Sequence, residues 1–281
     1  MTRRDFVAGA GSLAATRAAK PEFTKSICSV VFPPETTLPR MFTLAKAAGF
    51  DAIELRLDVD LTEAGNTRSS AQDSGMEIAS LWVSKALGQH PLNSPDAAIR
   101  EHGVDDIRRA CDVATAINCG ALLLVPGRVT PQTGYEETWK RFTEELTKCL
   151  PAAESTGVLL TVENVWNKFL MSPLEMRTFV DQFHSPWLAA HFDMGNVMQF
   201  GYPEDWIHTL GSRIRRVHVK DFRQGRFVPL LEGDVDFAAA MRALRDVGYS
   251  GYLSPEITYE RNQPDQLRNI SAQLDHILAL R

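Results

Sequence analysis

The chain has 281 residues, 44% hydrophobic and 23% charged, with 30 Lys+Arg against 35 Asp+Glu for a formal net charge of −5. That is ordinary globular composition, long enough for two medium domains or one large α/β barrel, and its acidic balance argues against holding a nucleic-acid backbone by bulk charge. No apolar run reaches the ~18–20 residues that span a bilayer, and the four cysteines (Cys28, Cys111, Cys119, Cys149) lack CxxC spacing and read as small buried side chains.

The chain opens Met1-Thr2-Arg3-Arg4-Asp5-Phe6-Val7 and continues through small apolar residues to about Ala15, then Arg17, Ala18, Ala19 and Lys20-Pro21. A basic start, a weakly apolar middle and a small-residue exit form a secretory layout. The Arg3-Arg4 pair followed by Phe6 resembles a twin-arginine export signal. Residues 1–25 are therefore read as an export segment or disordered N-terminus, ahead of a single domain over residues 26–281. Export implies a periplasmic protein; a plain tail implies a cytoplasmic one.

From residue 26 short β-rich apolar runs alternate with longer amphipathic stretches. The pattern predicts strands at Ser26–Phe32, Ala52–Leu57, Glu77–Val83, Ala121–Pro126, Val158–Glu163, Leu188–Asp193, Arg215–Lys220 and Tyr252–Ile257. Helical spacing covers Leu38–Ala48, Leu61–Ser74, Pro95–Ile117, Tyr135–Ser155, Pro173–Phe183, Pro203–Ser212, Phe237–Val247 and Pro264–Leu280. Runs such as Ala121-Leu122-Leu123-Leu124-Val125 are apolar throughout, as in a strand buried on both faces. Eight strand–helix units close naturally into one α/β domain, a (β/α)8 TIM barrel. An open doubly wound sheet is disfavoured because no GxGxxG follows the first strand.

In such a barrel the chemistry sits at the C-terminal strand ends. Strand two carries Glu54 and Arg56, and strand three ends Trp82-Val83-Ser84-Lys85. The last four ends read Val162-Glu163-Asn164, His191-Phe192-Asp193-Met194-Gly195-Asn196, Val217-His218-Val219-Lys220-Asp221 and Pro255-Glu256-Ile257. Glu163, Asp193, His218 and Glu256 each close an apolar strand, and these strands are neighbours in a closed barrel. Three carboxylates and one imidazole make a mostly hard-oxygen site, suited to one divalent metal ion (Mn²⁺, Co²⁺, Mg²⁺ or Zn²⁺). Left without a partner, such groups in an apolar mouth are costly. His191 precedes Asp193 by two and shares its strand face, so it is read as supporting the ligands rather than joining them.

At these residues the sequence resembles the xylose isomerase-like TIM barrels, and within them the sugar phosphate isomerase/epimerase group that includes ketose 3-epimerases and L-ribulose-5-phosphate 3-epimerases. The matching stretches are Gly49-Phe50-Asp51-Ala52-Ile53-Glu54-Leu55, Val162-Glu163-Asn164, Phe192-Asp193-Met194-Gly195-Asn196, Val217-His218-Val219-Lys220-Asp221, Leu231-Glu232-Gly233-Asp234-Val235-Asp236-Phe237 and Pro255-Glu256. The resemblance implies one divalent metal held by Glu163, Asp193, His218 and Glu256. It also implies that Glu163 and Glu256 move a proton on opposite faces of a sugar, beside a ketose carbonyl whose enediolate the metal stabilises. Free-ketose 3-epimerases often carry a His three residues after the strand-six Asp, where this chain has Asn196, and another Glu after the strand-five Glu. Here Val165-Trp166-Asn167-Lys168-Phe169-Leu170 offers no carboxylate, which brings the chain nearer the phosphopentulose branch.

Substrate-contact candidates are Trp82 and Trp166 for stacking, Asn164 and Asn196 for hydrogen bonds, and Lys220 and Arg226 for a sugar hydroxyl or phosphate. A solvated charged loop is the other reading of the last two. The expected activity is a metal-dependent sugar isomerase or epimerase with a small-molecule sugar substrate, no nucleic-acid or membrane partner, and a homo-oligomer compatible with the sequence. A lyase or hydratase on keto-sugars would use the same groups, and a non-catalytic sugar-binding barrel is the alternative outside enzymology. An abasic-site endonuclease would need more strand-end histidines and basic loops.

Overall fold

The computed structural model describes residues 22–56, 61–258 and 265–281, and for Ser84, Lys85 and Ala86 the backbone alone. In chain order the first half runs β1 (Thr24–Cys28), a 3-10 turn at Ser29–Val31, α1 (Leu38–Ala47), β2 (Ala52–Arg56), α2 (Leu61–Ser74), β3 (Glu77–Trp82), α3 (Ser84–Gln89), α4 (Ala97–Ala116), β4 (Ala121–Leu124), α5 (Tyr135–Thr147) and α6 (Leu150–Thr156). The second half runs β5 (Leu159–Glu163), α7 (Pro173–Asp181), β6 (Leu188–Asp193), α8 (Pro203–Leu210), β7 (Ile214–Val219), β8 (Asp221–Arg223), β9 (Arg226–Val228), α9 (Phe237–Asp246), β10 (Tyr252–Pro255) and α10 (Gln266–Ala279). Strands β1 to β7 and β10 form a closed parallel barrel, and β8–β9 are a separate antiparallel hairpin. The barrel is sealed by β1 against β10, with Thr24 opposite Tyr252 and Lys25 opposite Leu253.

Sequence dictates these elements locally. The β4 run Ala121-Leu122-Leu123-Leu124 and the whole of β6 are buried on both faces, between the barrel interior and the helical ring. Helix α7 begins with a capping box, Ser172 and Glu175 satisfying each other's backbone N–H groups, and Pro173 follows at the first turn. The expected single helix over residues 135–155 is two helices. Pro151 has no N–H to continue the ladder, so the chain breaks at Lys148-Cys149 and restarts with proline in the first turn of α6. The first strand starts at Thr24 and ends at Cys28, because the chain coils into the 3-10 turn ahead of Pro33-Pro34. Helix α3 and the β8–β9 hairpin were not expected. The hairpin turns on Gln224 (φ 51°) and Gly225 (φ 81°), both in the left-handed region that a two-residue hairpin requires.

All four cysteines are buried and free, as expected of small buried side chains without CxxC spacing. No helix among the described residues is long and apolar enough to cross a membrane. The Arg3-Arg4 segment lies outside the described residues, as do Leu57 and residues 259–264.

Between α4 and α5 a buried carboxylate, Glu145, accepts from Arg100 Nε at 3.0 Å and pairs with Lys148 Nζ. Burial opposes its charge, but Lys148 and then Arg100 outweigh burial and hold the carboxyl below the usual range. A group so depressed contributes stability that is present above its unfolded pKa and lost as pH falls through the folded one. Glu145→Gln is therefore expected to cost about 2 kcal/mol at neutral pH, on the scale of hydrogen bonds to charged groups. The gap to wild type should close as pH drops below about 4. Thermal unfolding of both proteins across pH checks this, and a gap constant down to the acid limit would refute it.

Candidate active site

The register of the sheet builds the site. On the C-terminal side of the barrel Asp193 of β6 lies directly opposite His218 of β7, and Glu163 ends β5 opposite His191. Glu256 follows β10, whose Ser254 pairs with His218. Four neighbouring strands thus deliver the four predicted ligands to one spot, and one ligand atom from each lies within 4.8 Å of all the others. His218 Nδ1 faces Glu163 Oε1 at 3.2 Å, Glu256 Oε2 at 3.4 Å and Asp193 Oδ2 at 3.6 Å.

Burial makes this crowding expensive. Asp193 is fully buried and Glu163 nearly so. Burial pushes the Glu163 carboxyl up to about 7, although His218 pulls the other way. Burial also opposes the charge on Glu256, but Lys220 and then His218 outweigh it and hold this carboxyl well below the usual range. Lys220 Nζ lies 2.9 Å from Asp193 Oδ2 and pairs with Glu256 Oε2. Burial opposes the charge on Lys220 too, yet Asp193 and Glu256 raise its pKa far above the ordinary lysine value. Even so, Asp193 Oδ2 is buried without a well-formed hydrogen bond. Three hard oxygen donors, one imidazole nitrogen and an under-satisfied buried carboxylate oxygen fit a divalent cation.

The other predicted residues divide. Asn164 Nδ2 donates to Asp193 O at 2.9 Å, and Asn164 Oδ1 accepts from Asp193 N at 2.8 Å. Asn196 N donates to Asp193 Oδ1 at 2.8 Å and its side chain donates to Asn164 O at 2.9 Å. The Asn164 side chain thus braces the Asp193 backbone, while Asn196 holds the Asp193 carboxylate through its backbone N–H and Asn164 through its side chain. Trp166 donates to Asn196 O at 2.8 Å and stacks on Phe227 of the hairpin, ring centroids 4.8 Å apart. Lys220 Nζ sits 4.9 Å over the same Phe227 ring. Arg226 is exposed on β9 and does not line the mouth cavity, whereas Arg56 does, its guanidinium 4.8 Å over the Trp82 ring.

That cavity, about 690 Å³, is walled by Phe32, Met41, Leu55, Trp82 and Phe227, and Arg56, Lys220, Asp221 and Glu256 also line it. A mostly apolar chamber with a few polar and charged groups is the usual form of a small-molecule site. Gly195 permits the arrangement. A Cβ there would meet Lys220 Cβ at 2.5 Å, so only glycine lets the turn after β6 pass against β7. Sequence reading noted Glu54 at its strand end without giving it a role. It lies beneath His218, and a charged residue inside the apolar run Ala52-Ile53-Glu54-Leu55 was the available signal.

A closed parallel eight-stranded barrel with acidic and imidazole groups gathered at four adjacent strand ends has the form of a TIM-barrel enzyme site. The family described as xylose isomerase-like TIM barrel matches residues 42–279, and the chain belongs to that family. An L-ribulose-5-phosphate 3-epimerase of Salmonella paratyphi A is 30% identical over 223 residues, 74% of this chain and 78% of the relative. Among solved structures, a D-psicose 3-epimerase of Clostridium cellulolyticum superposes with a TM-score of 0.78 at 18% identity, covering 92% of this chain and 99% of its own. The 3-keto-D-glucoside 4-epimerase of E. coli gives 0.77 at 16% identity, covering 91% and 98%. By this family and these relatives the protein is an isomerase-class enzyme.

Proposed function

We propose that the protein epimerises or isomerises a ketose, free or phosphorylated, by moving a proton at the carbon next to the carbonyl, with a divalent cation held by Glu163, Asp193, His218 and Glu256. The observation that carries this reading is the meeting of those four ligand atoms within 4.8 Å of one another, with Glu256 and the neighbouring Lys220 also lining the mouth cavity. When bound, the cation supplies positive charge where the substrate carbonyl gains negative charge.

The chain's own groups do the rest. Glu163 ends β5 and Glu256 follows β10, with β6 and β7 between them, so the two carboxylates approach a bound sugar from separate sides of the barrel arc. One takes the α-proton onto a carboxylate oxygen as the C–H electron pair moves to form the enediolate; the other returns a proton to the opposite face. The two exchange roles when the reaction reverses, and no proton or electron is gained or lost. Lys220 keeps the excess negative charge of the cluster in check, and Trp82 with Phe227 shields the enediolate from water.

Incubation in deuterium oxide tests the reading. L-Ribulose 5-phosphate, L-ribulose, D-psicose and a 3-keto-glucoside are each followed by proton NMR, with chelator-stripped protein and with protein reloaded by Mn²⁺. Exchange of the α-proton of at least one substrate is expected only after reloading. No exchange with any of them, or full exchange after stripping, would overturn the proposal.

A further inference from the structure

Beneath the carboxylate ring lies a second set of buried polar groups that the proton transfer does not use. Sheet register places them: Cys28 of β1 pairs with Glu54 of β2, and Glu54 with Ser80 of β3. Glu54 is only 2% exposed, and an isolated carboxylate there would be costly. Its oxygens are used on every side. Oε1 accepts from His218 Nε2 at 2.8 Å and from Cys28 Sγ at 3.3 Å. Oε2 accepts from the Ser80 hydroxyl and lies 3.6 Å from His191 Nε2. His191 is itself fixed, its Nδ1 3.2 Å from Thr161 Oγ1, which in turn donates to Leu122 O at 2.7 Å.

His218 therefore has two distinct sides. Nε2 meets Glu54 below, and Nδ1 meets Glu163, Glu256 and Asp193 above. A nitrogen that carries a proton cannot also bind a cation, and the hydrogen bond made by one ring nitrogen fixes the state of the other.

We propose that Glu54 is a positioning residue: by accepting the Nε2–H bond of His218 it keeps Nδ1 free and aimed at Glu163, Asp193 and Glu256, and so sets the affinity of that ring for a divalent cation. The inference rests on the cation-site reading above and adds to it a residue that never touches the substrate. A competing arrangement uses the same atoms. Cys28, Glu54 and His218 each offer a ligand atom within 4.8 Å of the other two, as a cation site of their own would require. The geometry favours hydrogen bonding, because Glu54 is already shared among His218, Cys28 and Ser80.

Calorimetric titration of the metal-stripped full chain with Mn²⁺ separates these outcomes. Wild type is expected to bind one equivalent. Glu54→Leu, close in size but without an acceptor, is expected to bind 10–100-fold more weakly, the usual loss for a ligand's supporting partner. Glu54→Gln keeps a neutral acceptor and should fall between the two. Circular dichroism of the stripped proteins shows that each variant is folded; if Glu54→Leu is not, the Glu54→Gln comparison decides. In the Zn²⁺-loaded wild type the His218 Nε2 proton should appear by NMR as a hydrogen-bonded, slowly exchanging signal, absent or shifted in the Glu54 variants. A folded variant with unchanged affinity overturns the positioning role. So does a wild type that binds two equivalents and loses one in Cys28→Ala. A wild type that binds no Mn²⁺ removes both this role and the cation site, whereas weakened binding without α-proton exchange would leave the role standing and sink only the proposed reaction.

Discussion

Glu163→Gln is expected to lower kcat by about 10³-fold while leaving the fold in place, within the range set by losing a positioned acid or base. Glutamine matches the shape of Glu163 and can keep an oxygen toward His218 Nδ1, 3.2 Å away, so packing changes little. An amide oxygen, however, cannot take the α-proton. Glu256→Gln should lose as much, with an added effect because Lys220 loses one of its two carboxylate partners. The two variants are expected to differ in a telling way. If each glutamate serves one face of the sugar, each variant still exchanges the α-proton of one epimer with deuterium oxide but converts neither epimer into the other. NMR of both epimers with both variants reads this directly. Wild-type turnover by either variant would refute the assigned roles, and exchange of both epimers by one variant would point to a single base.

A second large effect is expected from one methyl group. Gly195 has an ordinary backbone conformation (φ −76°, ψ −33°), so it is needed for space and not for flexibility. An alanine Cβ would sit 2.5 Å from Lys220 Cβ and 3.2 Å from the Lys220 carbonyl carbon. Neither neighbour yields easily, because Asp193 is paired with His218 across the sheet and Met194 N donates to His218 O at 3.2 Å. Overpacking of this kind costs about 1–3 kcal/mol. The larger consequence is for chemistry: a shift of the turn moves Lys220, Asp193 and Asn196 together, and a misplacement of about 1 Å can cost 10²-fold in rate. Gly195→Ala should therefore lower both Tm and kcat. Gly120→Ala, where an added Cβ meets nothing within 4 Å, should change neither. Equal behaviour of the two variants would show that the close approach does not matter.

The barrel and the convergence of Glu163, Asp193, His218 and Glu256 were legible because each depends on short-range pattern. Each of the four follows an apolar run, and strand order in a closed parallel barrel follows chain order. What escaped depends on contacts between distant segments. Asn164 and Asn196 look like free amides in sequence, but the approach of the β5 and β6 ends turns them onto the backbone around Asp193. Arg226 and Arg56 both look available, and only the curl of the hairpin and the Arg56–Trp82 contact decide which one reaches the mouth. Glu54 became interpretable only through register, since Cys28, Glu54 and Ser80 come from three separate strands. The break between α5 and α6 was readable from Pro151, while the short exposed strands of the hairpin carry too few residues to show alternation.

The closure of β1 against β10 ties the opening and closing segments of the polypeptide into one seam, and Glu256 follows the final strand immediately. Glu256 joins Glu163, Asp193 and His218 only once β10 lies between β7 and β1, so the cluster is complete only when the cylinder itself is closed.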